Sequence, residues 1–74
     1  MIVYELENRG QRSHVIGVGD RVSGGSVKVN SANQPVNVYF DPETKIVVTA
    51  ECGEKLLKGF PAEVKLVKKS NRKE

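Results

Sequence analysis

Valine dominates the apolar residues of this chain. Its 74 residues include twelve Val and three Ile but only four Leu and three Ala. Side chains branched at Cβ lose little conformational freedom on a pleated sheet and lose more in a helix. The seven Gly and three Pro supply residues for turns. We therefore expect an all-β fold.

The length of the chain leaves room for one small domain. We expect this domain to span residues 1–67 and to be followed by a flexible basic C-terminal tail over residues 68–74, where no apolar residue occurs. Only 38% of the residues are hydrophobic. A core of this size, built mostly from valine, is expected to be marginally stable without a partner.

Alternation of apolar and polar residues predicts the strands. The predicted strands cover residues 2–7, part of 14–18, 26–30, 36–40, 46–51 and 62–67. The pattern places Ile2, Tyr4 and Leu6 on the core face of the first strand. It places Val64 and Leu66 on the core face of the last strand. Glycines between residues 17 and 25 allow several paths for that segment.

A short helical segment is predicted at residues 53–59, just before the last strand. Glu54 lies near the positive end of its dipole and Lys58 near the negative end. Pro61 stops any continuation of the helix. The apolar residues expected to close one end of the core are Leu56, Leu57 and Phe60.

Residues 36–51 have the pattern of a tight hairpin. Asp41 and Pro42 favour a type I turn at the start of a five-residue loop. A loop of this length places Phe40 opposite Ile46 and joins two apolar faces, whereas a shorter loop would bring Thr49 into the core face. We therefore predict that the two strands pair with each other, with Phe40 opposite Ile46.

The order of these elements resembles that of small barrels of the Src-homology type, in which the first loop is long, a tight hairpin joins the third and fourth strands, and a helical turn precedes the last strand. The resemblance implies a small five- to six-stranded, partly open barrel with one short helical turn before the last strand. The segment Gly19-Asp20-Arg21-Val22 also resembles the opening of the KOW element in ribosomal and transcription-factor barrels. No Trp and no paired-tyrosine motif occur, so binding of polyproline segments is not expected. A competing layout is the oligonucleotide-binding barrel, whose helix usually lies between its third and fourth strands.

The chain offers few groups for catalysis or metal binding. His14 and Cys52 are the only residues of their types, whereas a structural zinc site needs about four such ligands. His14 is expected at the surface or on an edge strand, where it could reach Asp20 or Asp41. Cys52 stands beside carboxylates and is expected to be a small apolar residue at a strand end rather than a reactive thiol. We therefore expect no enzymatic activity, no metal or other cofactor, and no small-molecule substrate.

Positive charge is concentrated at the C-terminus. The last ten residues carry a net charge of +4, and the other 64 residues carry −1. A basic extension can gain affinity for nucleic acid by displacing counterions from phosphates, although such segments also serve solubility alone. Tyr39 is predicted to point out of the sheet, where it could stack on a base. The residues of this nucleic-acid hypothesis are Lys65, Lys68, Lys69, Arg72, Lys73 and Tyr39.

Three valines are predicted to lie on the outer face of the sheets, away from the core: Val3, Val47 and Val67. Apolar residues in such positions are often covered by a partner protein or by a second copy of the chain. The first functional hypothesis is therefore a protein-interaction module, such as an adaptor, an inhibitor of a larger enzyme, or an assembly component of a complex or virion. Nucleic-acid binding is the alternative.

The N-terminus predicts a cytoplasmic protein. Charged residues occur too early for a signal peptide, and no apolar run approaches the ~20 residues of a membrane span. The single cysteine cannot form an intramolecular disulfide, which secreted domains of this size usually need. We expect no interaction with membranes.

Overall fold

The computed structural model describes residues 1–71. In chain order these residues form β1 (Ile2–Asn8), β2 (His14–Ile16), a 3₁₀ turn (Val18–Asp20), β3 (Arg21–Gly24), β4 (Ser26–Val29), β5 (Pro35–Phe40), β6 (Lys45–Thr49), α1 (Ala50–Gly59) and β7 (Val64–Asn71). The predicted all-β class is confirmed in its coarse form, since seven strands are accompanied by one ten-residue helix.

The strands form two antiparallel sheets. The first sheet has four strands in the order β3-β6-β1-β7, and the second has three in the order β2-β5-β4. No closed barrel is detected among residues 1–71. Gly24 and Gly25 have φ angles of +81° and +73°, which glycine adopts readily. They turn the chain from β3 in the first sheet to β4 in the second, across the segment whose path the sequence left open.

The core lies between the two sheets and α1. Its buried members come from five strands and the helix: Tyr4, Leu6, Ile16, Val38, Phe40, Ile46, Val48, Cys52, Leu56 and Val64. The sequence predicted Tyr4, Leu6 and Val64 in this core, and the structure confirms them. Leu56 is buried and Leu57 and Phe60 pack against the core, as predicted.

Two residues predicted to face the core are exposed instead. Ile2 pairs with Asn71 at the end of the first sheet, and Leu66 lies on β7, which is an edge strand. Strand ends and edges lack neighbours that would cover a side chain. Alternation alone does not show where a sheet stops, and this is why both predictions were wrong.

The predicted hairpin of residues 36–51 does not form. Phe40 pairs with His14 in the second sheet, and Ile46 pairs with Leu6 in the first. The backbone of Asn8 holds the intervening turn, because its N–H donates to the Thr44 carbonyl (3.0 Å) and its carbonyl accepts from the Glu43 N–H (2.9 Å). The turn therefore delivers β6 to β1 rather than to β5, and the tight hairpin of the Src-homology layout is absent.

The side chain of Asn8 joins two further segments, the loop before β2 and the end of β5. Its Nδ2 donates to the carbonyls of Phe40 and Arg12, both at 2.9 Å, and its Oδ1 accepts from the Gly10 N–H at 2.9 Å. Asn8 is fully buried. A buried amide that makes all of these bonds fixes the end of β1 against the end of β5 and the loop before β2.

The helix begins at Ala50, three residues earlier than predicted. Thr49 is its N-cap, and the Thr49 hydroxyl accepts from the Cys52 N–H at 3.4 Å. A threonine at this position satisfies an N–H group that the helix itself leaves unpaired. Gly53 then faces Tyr4, and a Cβ atom added to Gly53 would lie 2.5 Å from Tyr4 Cδ2. The glycine allows α1 to approach the first sheet closely.

The last strand runs beyond the predicted boundary. Residues 68–71 belong to β7 and pair with β1, with Lys68 opposite Glu5 and Lys69 opposite Tyr4. The prediction of a flexible tail from Lys68 onward is therefore wrong for these four residues. The partners on β1 explain the difference, because Glu5 lies opposite Lys68 and the Tyr4 ring lies near the Lys69 Nζ, so both lysines have cross-strand neighbours that suit a cation. Residues 72–74 lie outside the described part of the chain.

Replacing Asn8 tests the buried amide. We expect Asn8→Ala to lower the free energy of unfolding by about 3 kcal/mol, because it leaves the Gly10 N–H and the carbonyls of Phe40 and Arg12 without their partner. Urea denaturation followed by circular dichroism measures the change. Asn37→Ala on the exposed part of β5 is the control and should stay within about 0.5 kcal/mol of wild type. Equal midpoints for the two variants would contradict the assigned role of Asn8.

Two helical glycines give a matched test of the approach of α1 to the sheet. Gly53→Ala should destabilise the protein by about 2 kcal/mol, since the added methyl group meets Tyr4. A methyl group added to Gly59 meets nothing within 4 Å. Gly59→Ala should therefore be neutral or stabilising by up to about 1 kcal/mol. Thermal unfolding of both variants distinguishes this account from a general intolerance of α1 to substitution.

Candidate interaction surfaces

His14 is buried on β2, an edge strand of the second sheet. Its ring lies 4.3 Å from that of Phe60 between centroids, and its Nε2 lies 3.9 Å from Glu63 Oε2 without forming a hydrogen bond. The same carboxylate receives two hydrogen bonds from Arg12, at 3.2 and 3.1 Å. The edge-strand prediction is confirmed, but the surface position is wrong because Phe60 and Glu63 cover the ring.

Asp41, which the sequence suggested as a partner of His14, accepts hydrogen bonds from two hydroxyl groups instead. Its carboxylate accepts from Ser13 Oγ at 2.6 Å and from Ser26 Oγ at 3.0 Å. These two hydrogen bonds lower the pKa of Asp41, with a smaller contribution from Lys28. The carboxylate thus ties the loop before β2 and the start of β4 to the end of β5.

Cys52 is buried at the start of α1. The pKa of its thiol is raised from the ordinary 9.0 to about 11, first by burial and second by the negative charge of Asp20, while Lys55 has a smaller opposing effect. The helix N-terminus does not outweigh these effects. The sequence pointed to Glu51 and Glu54 as the opposing carboxylates, whereas Asp20 comes from the 3₁₀ turn and is distant in sequence.

Tyr39 points away from the core, as its position in the alternation predicts. Its cross-strand neighbours on this outer face are Val15 and Ser26, and the Nζ of Lys28 lies 5.5 Å from the centre of its ring. Val15 is 58% exposed. The outer face of the second sheet therefore combines one cation, one half-buried aromatic ring and one open valine.

The lysines of the nucleic-acid hypothesis lie on the first sheet and not beside Tyr39. Lys65 and Lys68 are opposite Glu7 and Glu5 on the outer face of β1. Lys69 is opposite Tyr4 on the other face, with its Nζ 4.9 Å from the ring centre. Within residues 1–71 the structure therefore places the lysines on both faces of one sheet and Tyr39 on another sheet. Arg72 and Lys73, the other two basic residues of the hypothesis, lie outside the described residues.

The three valines predicted on an outer face do not form one open patch. Val3 is only 2% exposed, and its strand β1 lies between β6 and β7 in the interior of the first sheet. Val47 is half-buried. Only Val67 is open, with 43% of its surface exposed, since it lies on the edge strand β7. The expectation of exposure is thus wrong for Val3.

A different apolar surface is open on the second sheet. Val27 on β4 pairs with the buried Val38, and alternation along each strand places Val29 two residues after Val27 and Val36 two residues before Val38 on this face. The register shifts between Lys28 and Val29, so that Val29 lies opposite Pro35 and Val36 is the additional residue of β5 at this point. Val27, Val29 and Val36 are 40%, 52% and 46% exposed. We call these three residues the valine ribbon. They continue the core face of the second sheet past the end of the core.

The valine ribbon is nearly free of charge. Between Gly24 and Phe40 the sequence contains one charged residue, Lys28, and Lys28 alternates to the face of Tyr39. The sequence predicted strands over residues 26–30 and 36–40 from these alternating valines, but alternation does not show that they lie beyond the end of the core.

No cavity, no cluster of metal-binding side chains and no helix long and apolar enough to cross a membrane is found in residues 1–71. Comparison of the chain with models of protein families, with curated protein sequences and with solved structures gave no match. The candidate surfaces are therefore ranked by their geometry.

The environment of Cys52 predicts slow alkylation. With a pKa of about 11 against 9.0, the thiolate fraction at pH 8 is about a hundredfold lower than that of an ordinary thiol, and burial slows the reaction further. Iodoacetamide should modify the folded protein slowly and the urea-unfolded chain at the ordinary rate. Equal rates in the two states would contradict this environment.

The raised pKa of Cys52 also links the stability of the fold to pH. Because the pKa is higher in the folded state, the contribution is complete below pH 9 and is lost as the pH rises towards 11. The unfolding free energy of wild type should therefore fall more steeply across this window than that of Cys52→Ala.

Proposed function

We propose that the protein is a non-enzymatic protein-interaction module whose valine ribbon binds an uncharged apolar surface of a different protein. The supporting observation is the exposure of three valines on a face that is buried elsewhere in the same sheet. Adaptor, inhibitor and assembly component of a complex or virion are all functions that such a module can serve.

The position of the ribbon supports binding through both backbone and side chains. β4 is an edge strand, so one side of its backbone lacks a neighbouring strand within residues 1–71. An added strand gains main-chain hydrogen bonds at such an edge, and its apolar side chains can cover the valines. Apolar burial supplies most of the affinity at a site of this kind.

The lack of charge on the valine ribbon favours a partner surface that is also uncharged. An apolar surface with no buried charge avoids the desolvation penalty that a charged partner would suffer against the valines. A second copy is disfavoured, because antiparallel pairing of two β4 strands that aligns Val27 with Val29 also places two Lys28 side chains opposite each other. Like charges directly opposite in a sheet are destabilising.

Nucleic-acid binding is a weaker alternative. It is supported by the outer face of the second sheet, where Lys28 lies over Tyr39 beside the exposed Val15. It is weakened by the position of Lys65 and Lys68 opposite Glu7 and Glu5, which reduces the net charge that a phosphate backbone would meet.

Substitutions that keep the shape of the ribbon but reduce its apolar character test the proposal. Val29→Thr combined with Val36→Thr retains β-branched side chains and should leave stability nearly unchanged. Val15→Thr on the opposite face of the same sheet is the matched control. A partner captured by wild type from cells of the source organism should then be purified, and its binding to each variant measured by calorimetry.

The proposal predicts at least about a tenfold loss of affinity for the double variant and little change for Val15→Thr. Binding should be weakly dependent on salt and show a negative heat-capacity change. Equal affinity of the double variant and wild type would contradict the proposal. Concentration-dependent dimerisation abolished by the double variant would also contradict it, since the occupant would then be a second copy. Salt-dependent binding of an oligonucleotide lost in Tyr39→Ala would favour the alternative.

A further inference from the structure

The outer edge of β7 is a second open surface, with a chemistry opposite to that of the valine ribbon. β7 is the last strand of the first sheet and pairs with β1 on one side only within residues 1–71. It is eight residues long, the longest strand described. Its other side therefore presents backbone N–H and C=O groups that no strand of the described chain pairs with. Such edges accept added strands.

The side chains along this edge are cationic and partly apolar. Lys65 and Lys68 alternate to the outer face, where β1 places Glu7 and Glu5, and Lys69 lies on the other face. Leu66 and Val67 between them are 40% and 43% exposed. β7 carries three lysines and β1 carries two glutamates, so positive charge remains in excess along the edge.

The pairing of β1 with β7 shows which chemistry fits this strand. Opposite Lys68, Leu66 and Lys65, β1 presents Glu5, Leu6 and Glu7. A leucine between two glutamates thus meets a leucine between two lysines, with an irregularity at Val67. Opposite charges and paired apolar residues across strands each stabilise a sheet. In this pairing Glu7 also forms an ion pair with Arg9 at 3.2 Å, and the Lys65 Nζ donates to the Pro61 carbonyl at 2.9 Å. The outer edge offers Lys68 and Leu66 from the other side, together with the positive charge of Lys65.

We propose that the outer edge of β7 binds an acidic, extended segment of a partner protein as an added strand. The segment carries glutamate or aspartate on either side of an apolar residue, in the pattern of β1. A second copy does not fit, because it would bring its own β7 lysines against these. A nucleic acid would use the lysines but would leave the backbone edge and Leu66 without partners.

A peptide titration of the full-length protein tests this inference. The probe is a synthetic peptide with the Glu-Leu-Glu pattern of β1 flanked by valines, added to isotope-labelled protein and followed by NMR. One control peptide replaces each glutamate by glutamine. A second keeps the glutamates but has methylated backbone nitrogens, which removes hydrogen-bond donors without changing the charge. An oligonucleotide is the third control.

The acidic peptide should shift the β7 amides and slow their exchange with solvent. The glutamine and N-methylated peptides should bind about tenfold more weakly or not at all, since each loses several cross-strand interactions. Lys68→Gln should weaken binding of the acidic peptide, and Lys28→Gln on β4 should not. The double valine variant should bind the peptide as wild type does, so this test is independent of the proposed function.

Several results would overturn the inference. These are equal binding of the glutamine peptide, equal binding of the N-methylated peptide, shifts confined to other strands, and no binding of the acidic peptide at low salt. Stronger binding of the oligonucleotide at the same lysines would assign the edge to a polyanion instead. Shifts of the β7 amides with rising protein concentration alone would assign it to a second copy.

Discussion

Asn8, whose side chain is buried, makes the hydrogen bonds that hold the strands of the two sheets in their arrangement. It binds the carbonyl at the end of β5 and the loop that leads to β2, while its backbone holds the turn that leads to β6. Because this turn is held against β1, β6 pairs with β1 and β5 remains free to pair with β2 and β4. The open valine ribbon follows from this arrangement, since β4 and the first half of β5 extend beyond the core.

The sequence predicted the parts of the fold that depend on local pattern. Valine enrichment indicated strands, alternation located Tyr4 and Leu6 in the core, and Leu56 was correctly assigned to the end of the core. The helix start was missed by three residues because Ala50 and Glu51 were counted in the preceding strand, although threonine before a helical segment is a common N-cap and Thr49 ends β6. Local reasoning is reliable here because each of these features depends on a few neighbouring residues.

The failures concern contacts between distant residues. Phe40 and Ile46 alternate as a hairpin would, but two strands that face one core from separate sheets have the same alternation. Asn8 follows the first predicted strand, over residues 2–7, and nothing in its sequence neighbours indicates that its amide bridges β1 and β5. Lys68 and Lys69 had the composition of a tail, and only the pairing with Glu5 and Tyr4 shows that they belong to a strand. The exposure predicted for Val3 was wrong because alternation shows on which face of a sheet a side chain lies, but not whether that face is buried.

The two open edges of the molecule differ in the chemistry that they offer. The valine ribbon on β4 and β5 is apolar and nearly uncharged, whereas the edge of β7 is cationic with a partly exposed leucine. Because they belong to different sheets, a partner can bind at either edge without disturbing the core between the sheets. A small core of this kind, with many of the chain's valines left outside it, gains stability when a partner covers surface that the chain itself leaves exposed.

Residue-resolved amide hydrogen exchange of the free protein tests the central claim most directly, because it reports how well each strand is held. The account predicts that amides of β1, β6 and the end of β5 near Phe40 exchange only through global unfolding. Amides of β4 and of β5 near Val36 should exchange through local opening at much lower free energy, since no second layer covers the ribbon. Equal protection of β4 and β1 in dilute, monomeric protein would contradict the claim that the ribbon is an open surface.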